Sequence, residues 1–223
     1  MKSGNVPSPA VRRLSLYLRQ LEALRRADQR TVSSRQLGAA LNLTDTQIRK
    51  DLAYFGQFGQ PGVGYDVGAL IGRIRRILGT DRTWNILLVG AGNLGTALSA
   101  HRGFMKKGFK LVAVFDSDPD KIGRPIGSGH DLVIRPLSEL EKAVKRLDIR
   151  LAINAVPAHA AQAVADRLAR AGIRGIFNFA PTHLDAGPDV AVASVDLAVQ
   201  LEQLSFQVGM RQSLEEDPSL EDA

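Results

Sequence analysis

Apolar residues in the first third of the chain recur at intervals of three and four, the spacing of short amphipathic helices. Val11, Leu14, Tyr17, Leu18, Leu21 and Leu24 make the first such series, with Arg12, Arg19, Arg25 and Arg26 falling mostly between them. Ser8 reads as the N-cap of this helix and Pro9 as its first residue. After a loop over residues 28–32, Ser33-Ser34-Arg35-Gln36 is a capping box for a short second helix carrying Leu37, Ala40 and Leu41. Asn42-Leu43 is a tight turn. Thr44-Asp45-Thr46-Gln47 is a second capping box, opening a third helix with Ile48 and Leu52 inward. Two short helices about a turn, behind a longer packing helix, predict a helix-turn-helix over residues 17–56. Residues 54–67 hold Gly56, Gly59, Gly62, Gly64 and Pro61 among aromatics, which predicts a short β-ribbon with a flexible tip, a wing. A helix over residues 66–78 then buries Leu70, Ile71, Ile74, Ile77 and Leu78 and leaves Arg73, Arg75 and Arg76 exposed.

Beyond a linker at residues 79–82 the pattern changes to short apolar strands alternating with helices. Strands are expected over residues 86–89, 111–115, 131–134, 149–156, 173–179 and 190–194. Helices are expected after residue 95, over 138–147 (with Ser138 and Glu141 as a capping box) and over 158–171. Such alternation predicts a doubly wound parallel sheet. The last element, residues 196–210, is a helix with Leu197, Val199, Leu201, Leu204, Phe206 and Val208, so apolar that it must be buried against something. Residues 211–223 are acidic and read as a disordered tail. The fold class is thus α/β with a small α+β domain. Its predicted parts are a winged helix-turn-helix domain (1–80), a Rossmann domain (81–195), a C-terminal helix (196–210) and the tail (211–223).

Charge sharpens this division. Of the net +6 on 223 residues, residues 1–80 carry 13 Lys and Arg against 5 Asp and Glu, and the remainder is slightly acidic. A basic domain joined to a near-neutral one is the asymmetry expected when one part meets a polyanion. The chain has no cysteine, which excludes disulfides, thiolate metal sites and thiol nucleophiles. No apolar run approaches the ~20 residues of a membrane span. The first residues lack the apolar stretch of a secretory signal, so a cytoplasmic location is expected.

The third helix turns Asp45, Thr46, Gln47, Arg49 and Lys50 outward near its N-terminal half, the portion that recognition helices present to base edges. Gln can pair with adenine, and Arg or Lys with guanine. Ser33, Ser34, Tyr54, Gln60 and Gly62 complete the DNA-binding candidates. In the second domain, Gly90-Ala91-Gly92-Asn93-Leu94-Gly95 follows a strand and opens a helix, and Asp116 ends the next strand 21 residues beyond Gly95. That arrangement is the dinucleotide fingerprint: glycines for a tight turn, backbone approach to a pyrophosphate and helix packing, and an acid for the ribose. A carboxylate there repels a 2′-phosphate, so NAD(H) is favoured over NADP(H). Asp118, Ala155, Val156 and Pro157 join the cofactor-binding set, with Asn154 and residues 178–181 nearby at carboxyl ends of strands. The four histidines show no metal spacing, and neither a metal nor a catalytic residue is expected. An NAD-dependent oxidoreductase is the first alternative, but one helix and a short tail leave no room for a substrate domain. A regulator sensing another nucleotide, such as coenzyme A, is the second.

The runs RKDLAYFGQFGQPGVGYDV, LGTDRTWNILLVGAGNLGTAL, FDSDPDKIGRPI, NAVPAHAAQAVADRL, AGIRGIFNFAP and VDLAVQLEQLSF together resemble the Rex family of bacterial redox-sensing transcriptional repressors, over roughly residues 8–208. The resemblance implies a homodimer that binds palindromic operator DNA and leaves it when NADH binds. It also implies that the last helix is swapped between the domains of the partner subunit, and that Arg19 and Asp196 form an interdomain pair. His101 stands where the family often has a tyrosine that changes partner on NADH binding, and a histidine's charge there depends on pH. Gln60-Pro61 replaces a commonly basic wing tip.

Overall fold

The computed structural model describes residues 7–59, 62–129 and 131–216; the wing-tip candidate Gln60, with Pro61, lies outside them. The chain forms two compact units, Met1–Thr83 and Trp84–Ala223.

The first unit begins with α1 (Ser8–Arg26). Its N-cap is Pro7, with no side-chain cap, so Ser8 is the first helical residue and not the cap expected from sequence. The extended φ and ψ of Pro7 set the entry, and Pro9 costs no hydrogen bond because the first N–H groups of a helix have no partner anyway. Ser33 caps α2 (Ser34–Leu41) in a complete box, its Oγ accepting from Gln36 N and its own N–H donating to the Gln36 side chain. Asn42, with φ 54°, ends α2 in the left-handed region. Thr44 caps α3 (Asp45–Ala53), but only half of the expected box forms. The Gln47 side chain reaches forward to Asp51 Oδ1 at 2.7 Å instead of back to Thr44.

The ribbon also differs from expectation. It pairs β1 (Thr31–Val32), read from sequence as loop, with β2 (Tyr65–Asp66). No strand forms among the described residues between α3 and β2, where Gly56, Gly62 and Gly64 all have positive φ. Arg73 of α4 (Val67–Ile77) holds this segment by donating to the Gln57 carbonyl at 2.6 Å and lying over the Phe58 ring. Asp66 caps α4 through Ala69 N. Leu14, Tyr17, Leu21, Leu37, Ile48, Leu70, Ile71 and Ile74 form the core on which α1–α4 pack.

The second unit is a seven-stranded sheet, order β5-β6-β4-β3-β7-β8-β9. Its strands are β3 (Trp84–Val89), β4 (Phe109–Asp116), β5 (Pro125–Ile126), β6 (Leu132–Pro136), β7 (Leu151–Asn154), β8 (Gly175–Asn178) and β9 (Ala191–Ser194). All pair parallel except β5, an antiparallel edge strand that the sequence reading missed. Leu87 and Val89 face α7 (Leu140–Arg146) and α8 (Ala158–Ala171) in one core. Ile86 and Leu88 face α5 (Asn93–Ser99) and the short α6 (Gly103–Lys106) in the other. No Ser138 cap forms: a 3-10 turn over Leu137–Glu139 enters α7 from Pro136, and Glu141 instead binds Arg167 of α8 through two bonds of 2.7 and 3.0 Å. Asp196 caps α9 (Leu197–Glu216) through Ala198 N and Val199 N. Among the described residues the helix runs six residues past Met210, to Glu216. Residues 211–216, read from sequence as disordered tail, are therefore helical. Residues 217–223 lie outside the described residues.

One polar group sits inside the first unit's core. Asp51 of α3 is 1% exposed and accepts from Arg13 (Nη2, 2.8 Å; also Nε), Tyr17 Oη (2.6 Å) and Gln47. Burial alone would raise its carboxyl pKa, but bonds from Arg13, Tyr17 and Gln47 outweigh that and hold it below the usual range. Its folded pKa is thus below the unfolded one. The stabilisation is complete above the unfolded value of about 3.9 and is lost as pH falls through the folded value. Asp51→Ala, which strands Arg13 and Tyr17, should cost about 3–5 kcal/mol near neutral pH. Urea unfolding between pH 7 and 2 should show this gap to the parent closing at the acid end.

Candidate nucleotide cleft and nucleic-acid interface

The sheet reverses its winding between β3 and β7, and the crevice at their carboxyl ends is where open α/β sheets take ligands. A cleft of about 770 Å³ opens there. Its floor is the turn that follows β3. Gly90 has φ 97°, and a side chain there would press a Cβ to 2.6 Å from the Ala155 carbonyl. A Cβ on Gly95 would lie 1.8 Å from the Gly90 carbonyl, so only glycine lets α5 begin this close to the strand. Gly92 is different: a Cβ on it meets nothing within 4 Å. It lines the cleft with Asn93 and Leu94, at the N-terminus of α5, where free backbone N–H groups favour an anion. The cradle therefore fits a pyrophosphate passing over Gly92.

Asp116 ends β4 on the same cleft and is 8% exposed. Oδ2 accepts from Ala91 N at 2.7 Å, and Oδ1 from Asp118 N at 2.9 Å. Burial opposes its ionisation, but these backbone bonds and the Lys121 ammonium, 3.5 Å away, hold its pKa below the usual range. The carboxylate thus fastens the glycine turn to β4, and its further lone pairs could accept from a ligand hydroxyl in the cleft. Asp118 lies beside it, bridged by Lys121 at 3.3 Å. Ala155, Val156 and Pro157 line the opposite wall, while Asn154 and Asn178 are fully buried beneath it. Ala91 lies behind the turn, in the core and against a smaller cavity, and reaches the cleft only through its bond to Asp116. Sequence reasoning missed Lys121, His159 and Arg167, which also line the cleft. His159 was within reach, because Pro157 places the first turn of α8 at the same crevice.

In the first unit Thr46, Arg49 and Lys50 are exposed on α3, with Asp45 and Gln47 half-buried. Tyr54 is exposed at the C-cap of α3. A groove of about 530 Å³ runs beside Arg49 between the start of α2 and the wing segment, lined by Ser33, Ser34, Gly62 and Tyr65. Arg13 and Asp51, which fix α3 against α1, were not singled out from sequence, and Tyr17 was read only as part of the apolar series of α1. The interval of four between Gln47 and Asp51 was the available signal. Arg19 is exposed on α1 in the first unit, and Asp196 starts α9 in the second. His101 follows α5 and meets the Phe104 ring edge-on at 4.9 Å. Among the described residues, no three His, Cys, Asp or Glu side chains gather as a metal site, and no described helix is long and apolar enough to cross a membrane.

Residues 5–53 match a family model described as a DNA-binding protein N-terminus, and residues 81–182 one described as a CoA binding domain. The chain is 48% identical to the redox-sensing transcriptional repressor Rex of Carboxydothermus hydrogenoformans, over 93% of this chain and 99% of that protein. It is 44% identical to the Rex repressor of Desulforamulus reducens, over 95% of this chain and all of the relative. The chain belongs to the Rex family. A Rex-family repressor, RSP, solved with β-NAD⁺ and operator DNA, superposes with a TM-score of 0.89 at 38% identity, over 99% of this chain and all of RSP. RSP with β-NADH gives 0.84 at 36%, over 96% and 99%.

These Rex relatives are named as repressors and not as oxidoreductases, which sets the first alternative aside. The winged-helix and Rossmann reading of the fold agrees with them along nearly the whole chain. The glycine geometry separates two substitutions that look alike on paper. Gly95→Ala forces α5 away from the Gly90 carbonyl and should destabilise the protein by about 3 kcal/mol or more. Gly92→Ala has open space for its methyl and should change stability by less than about 1 kcal/mol. Thermal and urea unfolding of the two variants measures the contrast.

Proposed function

We propose that this Rex-family chain is an NADH-responsive repressor that binds palindromic operator DNA as a homodimer in the cytoplasm. The observation that carries the reading is the glycine cradle over Gly92 beside the ionised, buried Asp116. The α5 N-terminus and Gly92 take the pyrophosphate, Asp116 accepts from the adenosine ribose, and Ala155 to Pro157 bound the nicotinamide end. A bound dinucleotide supplies the redox signal; the chain performs no hydride transfer. Arg49, Lys50 and Thr46 meet the major groove, Gln47 being held back by its bond to Asp51, while Ser33, Ser34, Tyr54 and Gly62 lie along the backbone. RSP, solved both with NAD⁺ and operator DNA and with NADH, supports this division of labour.

The unpartnered α9 supports the dimer. Leu201 and Phe206 are each 68% exposed, and the large apolar side chains lie on two opposite sides of the helix, Leu197, Leu201, Leu204 and Val208 on one and Val199, Phe206 and Met210 on the other. No helix intervenes between β8 and β9, and one face of the sheet there carries an apolar hollow of about 350 Å³ floored by Ile86, Ile153 and Phe177. In the proposed dimer the partner's core covers α9, and Asp196, one oxygen of which caps α9, pairs with the other subunit's Arg19. NADH then controls DNA only by binding two arrangements of the dimer unequally.

The match of residues 81–182 to a CoA binding domain keeps a coenzyme A-like ligand as a second reading. Coenzyme A carries a phosphate on its adenosine ribose, and Asp116 and Asp118 place two carboxylates beside one ammonium at that position. The site therefore favours a ribose without phosphate, and calorimetry with NADH against coenzyme A should show NADH alone binding tightly.

The primary test is operator affinity during an NADH titration at fixed NAD⁺, in which affinity should fall. Asp116→Ala should weaken NADH binding by about 1–3 kcal/mol and leave ligand-free operator binding unchanged. Equal loss of both would mark a folding defect through the turn that Asp116 holds, whereas unchanged NADH affinity in a folded variant would refute the assignment. In Asp196→Ala, NADH should still bind, while most of a coupling of about 1–3 kcal/mol between NADH and operator disappears in both directions. Full coupling in that variant would exclude this aspartate from the switch.

A further inference from the structure

Of the five α3 side chains that the sequence turns outward, Gln47 is tied to the buried Asp51, and Asp45, Thr46 and Arg49 are bonded to one another. Arg49 Nη1 donates to Asp45 Oδ2 at 2.6 Å and to Ser34 Oγ at 3.2 Å, and Nη2 donates to Thr46 Oγ1 at 3.1 Å. The side chains of Arg49 and Asp45 are 52% and 39% exposed, and an ion pair in such water contact adds little to stability. Its consequence is orientation. A guanidinium has five N–H donors in a fixed plane, and these bonds use three. Two donors remain, on Nε and Nη2, the number that guanine O6 and N7 accept.

An arginine on the surface of a DNA-binding helix has two competing uses. Left free, it swings to the nearest phosphate, which every duplex offers and which carries no sequence information. Held in one orientation, it contributes only where a guanine stands opposite. Asp45 bears on both outcomes: its carboxylate fixes the fork, and its negative charge repels the phosphate that a loose arginine would seek. The hydrogen bond from Arg49 holds the Asp45 carboxyl below its ordinary pKa, so this charge persists throughout the neutral range.

We propose that Asp45 is a specificity-determining residue of the DNA-binding helix, a positioning group that acts through Arg49. It withholds Arg49 from the phosphate backbone and aims its remaining donors at a guanine. This rests on the reading above that α3 enters the major groove of an operator.

The experiment compares operator and random-sequence duplexes across a salt series for the parent, Asp45→Ala, Asp45→Asn, Arg49→Ala and the double variant Asp45→Ala/Arg49→Ala. Removing the carboxylate should tighten random-duplex binding and steepen its salt dependence by about one unit, as a released arginine takes a phosphate. The ratio of operator to random affinity should fall about tenfold, the scale of one lost bidentate base contact. Asp45→Asn, which keeps the shape of the first turn, should follow Asp45→Ala. Replacing operator guanines by 7-deazaguanine, which removes N7, should cost the parent more than either variant. The double variant should match Arg49→Ala alone, because Asp45 has nothing left to position. A parent-like ratio and salt slope in both Asp45 variants would overturn the proposal, as would an additive loss in the double variant. Should Arg49→Ala itself leave the ratio unchanged, the groove-facing role of Arg49 is what fails.

Discussion

A buried carboxylate with every oxygen engaged holds the first unit to its purpose. Asp51 sits on the inner face of α3, where an apolar side chain would be the ordinary choice, and takes bonds from Arg13 and Tyr17 on α1 and Gln47 on its own helix. Apolar contacts such as Ile48 against the core favour burial but tolerate sliding and rotation. A carboxylate at 1% exposure does not, because a small rotation of α3 would leave an ionised group without donors in a dry site. Burial and that carboxylate both raise the Tyr17 phenol's pKa, so it stays protonated and donates. The outward face of α3 inherits its angle from this inward bond.

Asp116 repeats the device in the second unit. It too is buried and ionised, and its oxygens hold backbone N–H groups on the glycine turn and on the segment after β4. A ligand meeting this carboxylate touches a group that already defines the turn beneath it. In the proposed binding mode, recognition and local geometry would share one side chain, and a ribose bound there would bear directly on the glycine turn. Each acid holds the candidate surface of its own unit to the element beneath it.

Much of this was legible in the sequence, because the decisive features are local. The Ser33 box, the left-handed turn at Asn42 and the glycine series from 90 to 95 each act within a few residues. What escaped was set by distant partners. β1 has only two residues, too few for any alternation, and exists because Tyr65 and Asp66 come to lie beside it. Gln47 completes the pattern of a capping box, yet Asp51 is the stronger partner once it is buried. Glu141 likewise leaves the box with Ser138 for Arg167 on the neighbouring helix. Asp51 falls on the inward face three residues after Ile48, but as a charged residue between Lys50 and Leu52 its burial depended on donors from α1 that only the fold brings to it. The double duty of Asp116 was also invisible, since only the fold brings Ala91 within reach of it.

The exposed length of α9 has a consequence for how many copies of this chain are useful. Leu197, Leu201, Leu204 and Phe206 stand largely in water, and each large apolar side chain left uncovered forgoes about 1.5–3 kcal/mol. In the proposed dimer a partner would remove that deficit, and the effective stability of the fold would then rise with concentration by mass action. Dilution would then act on the fold as well as on occupancy. Below some copy number the chain would be lost to unfolding and proteolysis before it could be idle, and a shortage of repressor would be cleared instead of stored.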